Sequence, residues 1–580
     1  MQLHRVKKNI LFSLILLSIT VTGAAQVQHP LPVTDTSSRL IRIVKAKSFR
    51  QKMIDSVQTL VTLAGNAVVN QGNTTISGDS IVVNQYTGIA EVFGNVHIND
   101  ADSVHTYAHY LKYIGNERIA YLKKNVKLTD GKAVLNTNEL EYNLTTGIAK
   151  YSKGGKVVNG TTVLTSEDAL YYSDTKDVYF KHNVHLVDPK SDIVADSLRY
   201  NTLFKEAYFI APTKIKTESG IINTSSGTYN IETGEALFLN RTSISDSTRF
   251  MSGDRIASDE KTGFIEIEGR GKLVDSTNNV TVLGDHIVID RKKNSFLATR
   301  KPVMILYKNN DSTYITADTL FSGLRKFDSS QQIIYQQTDT LNKQITNADK
   351  QQNKLVFDIN KDSSLVTEKP VDTTGAVNEK QSTETNEPAA RDSIRYFIAF
   401  HHVRIFNDSL QAVSDSLHYS TEDSTFKLFK EPVFWNNQTQ VSGDTMYLYT
   451  ENQKAKQLYV FNNGLVINKT KEGLFNQMGG RTINGYFTDG AIESIRVKGT
   501  PAESVFYPQD DDSAYIGMNR SSGDVIDIFF VKKELNKIKF INDVNGTLYP
   551  LEQVPPDAKF LKKFAWLDNR RPKNKLELFE

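Results

Sequence analysis

The chain has 580 residues, no cysteine and a formal net charge of +3 at pH 7. The absence of cysteine excludes disulfides, thiolate metal sites and a lipidated N-terminal cysteine. A nearly balanced charge, without clusters of Lys and Arg interleaved with aromatic residues, gives no support for a nucleic-acid partner. Tyr (25) and Phe (29) are plentiful, which is typical of a chain rich in β-strands.

Residues 1–25 have the features of a cleaved signal peptide. Basic residues near the start precede an apolar run from Ile10 to Val21, and the small residues 23–25 form a cleavage zone. This run is shorter than the roughly 20 residues that span a bilayer. We therefore predict export with cleavage near Ala25, giving a mature protein that is soluble or peripherally bound.

A pattern with a period of about 29 residues recurs along most of the chain. It is clearest in Gly78–Asp100, which is predicted to form a strand, a turn at Thr87-Gly88 and a second strand with a Gly94-Asn95 break in its middle. Asp79 anchors the unit, and aliphatic residues or tyrosine follow two and four positions later. The anchors are Asp79, His109, Asn138, Asp168, Asp196, Ser225, Asp254, Asp285, Asp318, Asp415 and Asp444. A fixed period of this length indicates an array of stacked units.

The repeats predict an all-β fold, and Gly and Asn in mid-strand predict a bent, rolled sheet. Between residues 324 and 392 the period is interrupted by a stretch rich in Gln, Asp, Thr, Asn and Ser. Its low hydrophobicity cannot offset the entropy of ordering, which predicts a disordered insertion. The predicted organisation is a signal peptide (1–25), repeats (26–323), the insertion (324–392), further repeats (393–475) and a β-rich capping module (476–580).

Residue types that carry chemistry are present but do not form a known motif. A row of anchor aspartates could bind calcium, but one Asp per repeat is sparse, so we interpret the anchors as acceptors of backbone hydrogen bonds where a strand begins. His97 and His185 occupy a position that Lys127 fills in another repeat, which indicates a solvent-facing site. We find no catalytic motif. We therefore expect no metal, no cofactor and no enzymatic activity.

The aliphatic and tyrosine residues after each anchor share one face of the rolled sheet with a Val-x-Ile or Val-x-Leu pair on the following strand. The residues predicted for this interior face are Ile81, Val83, Val96, Ile98, Leu111, Tyr113, Val126, Leu128, Leu140, Tyr142, Leu170, Tyr172, Val184, Leu186, Leu198 and Tyr200. This pattern fits a packed sheet core and an open apolar groove equally well. The sequence does not decide between them.

The repeat G-D-x-I-x-V…T-G-x-A-x-x-x-G-N-V-x-I resembles the OstA-like family, the organic-solvent-tolerance domains related to the LptA periplasmic bridge and to the N-terminal domain of LptD. The resemblance covers Thr59 to Asn468, and the stretch from Thr482 to Pro508 is similar to the ending of large Bacteroidetes-type members. It implies an elongated, open β-jellyroll whose apolar interior shields the acyl chains of lipopolysaccharide. Such shielding is needed because each CH₂ exposed to water costs about 0.8 kcal/mol.

The resemblance also implies a location and partners. The protein would lie in the periplasm or peripherally at the outer membrane, bind lipopolysaccharide through the interior residues given above, and join other jellyroll Lpt-type proteins and an LptD-like barrel by edge-strand addition. This chain has more repeats than the short bridge proteins, and too few residues follow the array for a large barrel. The alternative is a β-solenoid that binds or cleaves envelope polysaccharide and has a filled core.

Overall fold

The computed structural model describes residues 41–308, 311–326, 393–451, 454–510, 514–531 and 534–579. In these ranges the chain is built from β-strands, with no α-helix and with short 3₁₀ helices at Leu551–Gln553, Pro556–Ala558 and Lys575–Leu578. The predicted all-β fold is confirmed. The predicted signal peptide and nearly all of the predicted insertion lie outside the described residues. In the described part, no helix has the length and apolar character needed to cross a membrane.

The chain divides into two compact units, one up to Gly131 together with Glu139–Thr146, and one of Lys132–Asn138 together with the residues from Gly147 onward. The predicted domain boundaries are not tested by this division and stay predictions. The strands of the first unit are β1 (Arg42–Lys45), β2 (Ser48–Met53), β3 (Thr59–Gln71), β4 (Thr74–Asn84), β5 (Ile89–Asp100), β6 (Val104–Ile114) and β7 (Ile119–Thr129). Strand β8 (Val134–Asn143) contributes residues to both units.

The second unit contains the remaining strands. They are β9 (Ile148–Asn159), β10 (Thr162–Tyr172), β11 (Asp177–Asp188), β12 (Ser191–Asn201), β13 (Glu206–Phe209), β14 (Thr213–Thr217), β15 (Gly220–Thr224), β16 (Ser226–Asn230), β17 (Glu235–Ser245), β18 (Arg249–Asp259), β19 (Phe264–Asp275), β20 (Val280–Asp290), β21 (Ser295–Thr299), β22 (Val303–Lys308), β23 (Asp311–Thr316), β24 (Thr319–Lys326), β25 (Ser393–Asn407), β26 (Leu410–Ser420), β27 (Thr425–Phe429), β28 (Val433–Asn436), β29 (Thr439–Ser442), β30 (Thr445–Glu451), β31 (Lys454–Lys469), β32 (Phe475–Thr488), β33 (Ala491–Phe506), β34 (Met518–Val531), β35 (Glu534–Ile541) and β36 (Asn545–Tyr549). Successive long strands pair antiparallel, for example β9 with β10 and β10 with β11.

Several long strands bend sharply in their middle, as the Gly and Asn residues predict. In β5 the bend is made by Gly94 (φ 67°) and Asn95 (φ 41°), both in the left-handed region. The register of β5 on β4 jumps here, so the extra residues form a bulge. Equivalent left-handed pairs lie at 124–125, 182–183, 240–241, 401–402 and 462–463. The repeats therefore fold around a corner.

The two halves of a bent strand belong to two different faces, which is most visible where the halves become separate strands. Residues Ser191–Ala195 of β12 pair with β14, whereas Leu198–Asn201 pair with β13. Strands β20 and β26 divide in the same way, pairing with β21 and β22 and with β27 and β28. The second unit thus contains two half-sheets whose inward-facing side chains meet, as the predicted jellyroll requires.

The anchor residues hold the corner. Both carboxylate oxygens of Asp79 accept hydrogen bonds from Asn95 Nδ2 at 3.1 Å. Asp254 contacts Arg270 in the same way, with distances of 2.9 and 2.6 Å, and Asp444 contacts Asn463. The predicted backbone hydrogen bonds are therefore wrong for these anchors, because side chains of the left-handed corner residues lie closer. The anchors are nonetheless structural.

Residues 551–579 cover the outer face of one half-sheet of the second unit. The buried side chain of Gln440 donates to Ala565 O and accepts from Leu567 N, both at 2.7 Å. Gln477 contacts Lys559 O (2.9 Å) and Leu561 N (2.8 Å) in the same way. Each glutamine thus acts as a two-point clamp on the backbone of this C-terminal tail, and apolar tail residues add a small second core.

Candidate functional site

The predicted interior residues lie on the inward face of their strands, with two exceptions. Ile81, Leu111 and Tyr113 are fully buried, and the rest of the predicted set apart from Leu170 and Tyr172 are at most 6% exposed. Burial to this degree places these side chains inside the fold and away from solvent. Their role as a lipid-binding surface stays a prediction.

The prediction for Leu170 and Tyr172 is wrong, because β10 has the opposite register. Its inward residues are Ala169 and Tyr171, while Leu170 and Tyr172 lie half-buried on the outer face. The anchor of this repeat is Glu167, which accepts a hydrogen bond from Asn183 Nδ2 at 2.6 Å as Asp79 does from Asn95. With Glu167 in place of Asp168, the anchors at 109, 138, 167 and 196 are evenly spaced by 29 residues.

In the first unit, the tyrosines four residues after His109 and after Asn138 close the interior. The hydroxyl of Tyr113 on β6 donates to Gln71 Oε1 on β3, although β6 pairs in the sheet only with β5 and β7 among the described strands. Gln71 in turn donates to Gly115 O at 3.1 Å. Tyr142 donates to Asp100 at 3.2 Å. These bonds join strands that are not sheet neighbours, and burial raises the pKa of Tyr113 to about 12.

The first repeats of the second unit are closed in the same way. The buried Asn159 donates to Tyr200 Oη at 3.4 Å and to Thr202 O at 2.9 Å. Tyr229, at the next equivalent position, is also fully buried. Buried tyrosine rings therefore occupy the interior of residues 147–231, and the ring of Tyr200 is hydrogen-bonded across it. We call these the filled repeats.

Further along the second unit, the interior contains a cavity of about 630 Å³ lined by residues between 246 and 490. One wall includes Met304 on β22 and Phe434 on β28, and the opposite wall includes Phe296 on β21 and Leu428 on β27. The cavity therefore lies between the two half-sheets. Further apolar lining comes from Met251, Val282, Phe397, Ala412, Met446 and Leu458. A volume of this size falls within the range of ligand-binding pockets.

The cavity occurs where the tyrosine pattern ends. At the position four residues after the anchor, these repeats carry Ile289, Ser322 and Leu448, which all line the cavity. Tyr419 keeps a ring at this position, but it packs against Phe426 (ring centroids 4.4 Å apart) on the neighbouring strand. Loss of rings that fill the interior leaves space between the half-sheets, so the same backbone repeat builds a filled core in one region and a cavity in the other.

Turn residues form one polar part of the lining. Asp246 and Arg291 are exposed and also line the cavity, so the cavity reaches the surface. The carboxylate of Asp246 accepts from the backbone of Thr248 and Arg249 at 2.8 and 2.7 Å, and these contacts lower its pKa against the opposing effect of burial, which is the largest single influence. Through its Oδ1 atom the aspartate therefore stabilises its own turn.

Two other polar clusters lie outside the cavity. Glu266, Glu268 and His286 come close enough to hold a cation, but Arg255 contacts both glutamates, at 3.6 and 2.9 Å. Because that arginine already neutralises the carboxylates, the cluster is an ion-pair network. The structure places the side chain of His185 in solvent beside Asp192, as predicted.

The side chain of His97 lies on the outer face, as predicted, but its ring is half-buried by neighbouring rings. It stacks on Tyr107, with ring centroids 4.5 Å apart, and contacts the His105 ring at 3.2 Å. Burial lowers the pKa of His97, and the neighbouring His105 lowers it further. The stack lies on the outer face of the first unit, so it belongs to surface packing and not to the interior.

The fold and cavity together define a protein of β-repeats with an internal, mainly apolar cavity. Residues 39–196 match the model of the OstA-like protein family, so this part of the chain is OstA-like, as the repeat motif indicates. A solved structure with similarity is LptH from Pseudomonas aeruginosa, described as the LptA-homologous periplasmic component of the lipopolysaccharide transport device. It is 15% identical, with a TM-score of 0.09, and the match covers 29% of this chain and 80% of that one. No curated protein matches the chain significantly.

Proposed function

We propose that this protein shields the acyl chains of lipopolysaccharide during transport or outer-membrane assembly in the periplasm, without making or breaking a bond. The observation that carries the proposal is the cavity between the half-sheets, with Met, Leu, Ile, Val and Phe side chains on both walls. The OstA-like match of residues 39–196 supports the same direction. Burying acyl chains there would recover about 0.8 kcal/mol for each CH₂ removed from water.

In this proposal the acyl chains bind in the repeats between residues 246 and 490 and not along the whole array. In the filled repeats, entry of a chain would require displacing rings such as Tyr200, which is fully buried and hydrogen-bonded. In the cavity repeats no such displacement is needed, because the space exists already. The predicted lining by Ile81, Val96 and their equivalents remains a proposal that requires the first repeats to open.

The proposed protein partners would bind at the ends of the strand order. Strands β1 and β2 both pair with β3, and β35 and β36 both pair with β34. Among the described strands these four have no second neighbour, so their outer edges offer backbone donors and acceptors to a strand of another jellyroll or of an outer-membrane barrel. Exposed apolar residues on β2 and next to it, Phe49, Met53 and Ile54, accompany one such edge.

Site-specific photo-crosslinking tests the lipid proposal. A benzoylphenylalanine would replace Phe426 in the cavity, Tyr113 in the first unit, or Phe264, which is 47% exposed on the outer face. Purified lipopolysaccharide is expected to form adducts at Phe426 and not at the other two positions. Adducts only at Phe264 would overturn the proposal, since contact would then be superficial.

Crosslinking with a second ligand distinguishes lipid binding from the rival function, the binding of envelope polysaccharide. Delipidated polysaccharide prepared from the same lipopolysaccharide keeps the sugars and loses the acyl chains. It is expected to form no adduct at Phe426, because the apolar walls offer few partners for hydroxyl groups. Equal crosslinking of the intact and delipidated molecules at this position would favour the polysaccharide function instead.

A further inference from the structure

Two arginines occupy inward-facing positions beside the cavity. Arg395 lies two and four positions before Phe397 and Ala399 on β25, so it shares the inner face on which both of these are buried. Arg249 lies two positions before Met251 on β18 and shares its face; Met251 is buried and also lines the cavity. Both arginines are half-buried and line the cavity. A cation on the core face of a strand is costly unless something compensates its charge.

No carboxylate within the described residues forms an ion pair with either arginine. Arg249 Nη2 donates to the neutral oxygen of Asn294 at 2.8 Å, and Arg395 Nη1 donates to Ser322 Oγ at 3.3 Å. A guanidinium has five N–H donors in a planar fork, so each keeps donors for another partner. The nearby carboxylate of Asp275 is hydrogen-bonded by Asn278 of its own turn, at 3.1 and 2.8 Å.

The two guanidinium groups also act on one another. Burial lowers the pKa of Arg395, the charge of Arg249 lowers it further, and Asp275 opposes these effects. Both side chains line the same cavity, although they come from β18 and β25, which are not sheet neighbours. An anion between them would remove this repulsion and use the spare donors. Arg forks match the oxygens of phosphate and carboxylate groups.

We infer that Arg249 and Arg395 form an anion-binding site for the charged headgroup of an amphiphile whose apolar chains occupy the adjoining cavity. The inference rests on the proposed function, which supplies the chains, and adds the chemical class of headgroup: a phosphate or carboxylate attached to the lipid. A free phosphate ion has the same recognition chemistry, but it leaves the apolar walls unused.

Calorimetric titration with three probes tests this site: dodecyl phosphate, dodecyl maltoside and inorganic phosphate, with both amphiphiles below their micellar concentrations. The full chain is expected to bind dodecyl phosphate at least about tenfold more tightly than dodecyl maltoside, which is a difference of about 1.4 kcal/mol. Added salt should reduce this preference. Inorganic phosphate alone should bind far more weakly than dodecyl phosphate.

The variant Arg249→Gln/Arg395→Gln removes both charges and keeps side chains of polar character. It is expected to lose the preference for dodecyl phosphate while binding dodecyl maltoside as before, which also shows that the variant is folded. The control Arg300→Gln/Arg481→Gln changes the net charge equally at two exposed positions outside the cavity lining. The control should keep the full preference.

The outcomes separate this inference from the proposed function. If both amphiphiles bind the unaltered chain equally and the arginine variant changes nothing, the anion site is wrong while the acyl cavity stands. If inorganic phosphate binds as tightly as dodecyl phosphate, the site takes free phosphate and the amphiphile assignment is wrong. If neither amphiphile binds, the acyl cavity itself fails, and with it the inference.

Discussion

Residues 147–231 and residues 246–490 of the second unit use one backbone repeat for two different interiors. In the first region, the tyrosines after the anchors are buried, and Tyr200 bonds across the interior to Asn159. In the second region, Ile289, Ser322 and Leu448 take that position and line a cavity. The comparison teaches that the corner geometry fixes the repeat, whereas the inward side chains, among them the residue four positions after the anchor, differ between the two interiors.

The two regions also differ in what covers them from outside. The tail of residues 551–579 contacts strands from β23 to β34, which include most of the cavity repeats, through Gln440, Gln477 and the clusters around Trp435 and Leu561. Because fewer side chains fill the interior of the cavity repeats, fewer contacts hold their two half-sheets together. We interpret the tail as an external layer that compensates for part of this loss.

The largest expected effect is on stability, and it contrasts the two interiors directly. Tyr200→Ala removes a fully buried ring and should destabilise its region by about 3–5 kcal/mol. The equivalent change Leu448→Ala, at a half-buried residue beside existing space, should cost less than about 2 kcal/mol. Hydrogen exchange of β12 and β30 amides in each variant measures both losses, and equal losses would contradict the difference between filled and cavity repeats.

The next effect concerns the external layer. Gln440→Ala leaves Ala565 O and Leu567 N without their side-chain partner, which should cost about 1–3 kcal/mol and loosen the tail. Limited proteolysis should then cut within residues 551–579 before it cuts the strands. Gln438→Ala, at an exposed position nearby, is the matched control. A tail that stays resistant in the Gln440 variant would show that the clamp is dispensable.

Filling the cavity should convert one interior into the other. Ile289→Tyr/Leu448→Tyr restores the tyrosine pattern at two lining positions and should weaken capture of dodecyl maltoside at least about tenfold, or 1.4 kcal/mol. Leu297→Tyr adds a ring at a position that is 37% exposed and should leave binding unchanged. Unchanged binding in the double variant would mean that the ligand sits elsewhere.

The sequence predicts the repeat, its corners and most inward residues, because alternation and left-handed Gly-Asn pairs are local signals. It misplaces Leu170 and Tyr172 because the run Ala169–Tyr172 carries an apolar residue on both faces, and only the bulge before it sets the register. It also misses the buried outer-face glutamines such as Gln440, because the tail that covers them lies more than a hundred residues further along the chain.

The cavity was partly visible in the sequence. The change from tyrosine to Ile289 and Leu448 after the anchors can be read from the residues alone. So can the spacing of two residues that puts Arg395 on the same strand face as Phe397. What the sequence lacks is the distance between the half-sheets, since smaller side chains can be accommodated by closer packing or by an open space. Only the structure shows that the space remains.

The smallest expected effect is on the free energy of unfolding at alkaline pH, and it tests whether the interior tyrosine Tyr113 is buried. Burial raises the pKa of Tyr113 to about 12, whereas an unfolded tyrosine ionises near a pKa of about 10. Below pH 10 neither state loses the proton, and stability is unaffected. Between pH 10 and 12 the unfolded chain ionises while the folded chain does not, so stability falls as pH rises, by up to about 1.4 kcal/mol per pH unit for one phenol.

Tyr113→Phe removes this dependence at one position, so urea unfolding of the variant should vary less steeply between pH 10 and 12 than that of the unaltered chain. Tyr86→Phe, at a residue that is 63% exposed, is the control for loss of a hydroxyl group outside the interior. Equal slopes for the Tyr113 variant and the unaltered chain would mean that the phenol of Tyr113 meets solvent, and that the first repeats open far enough to admit a ligand.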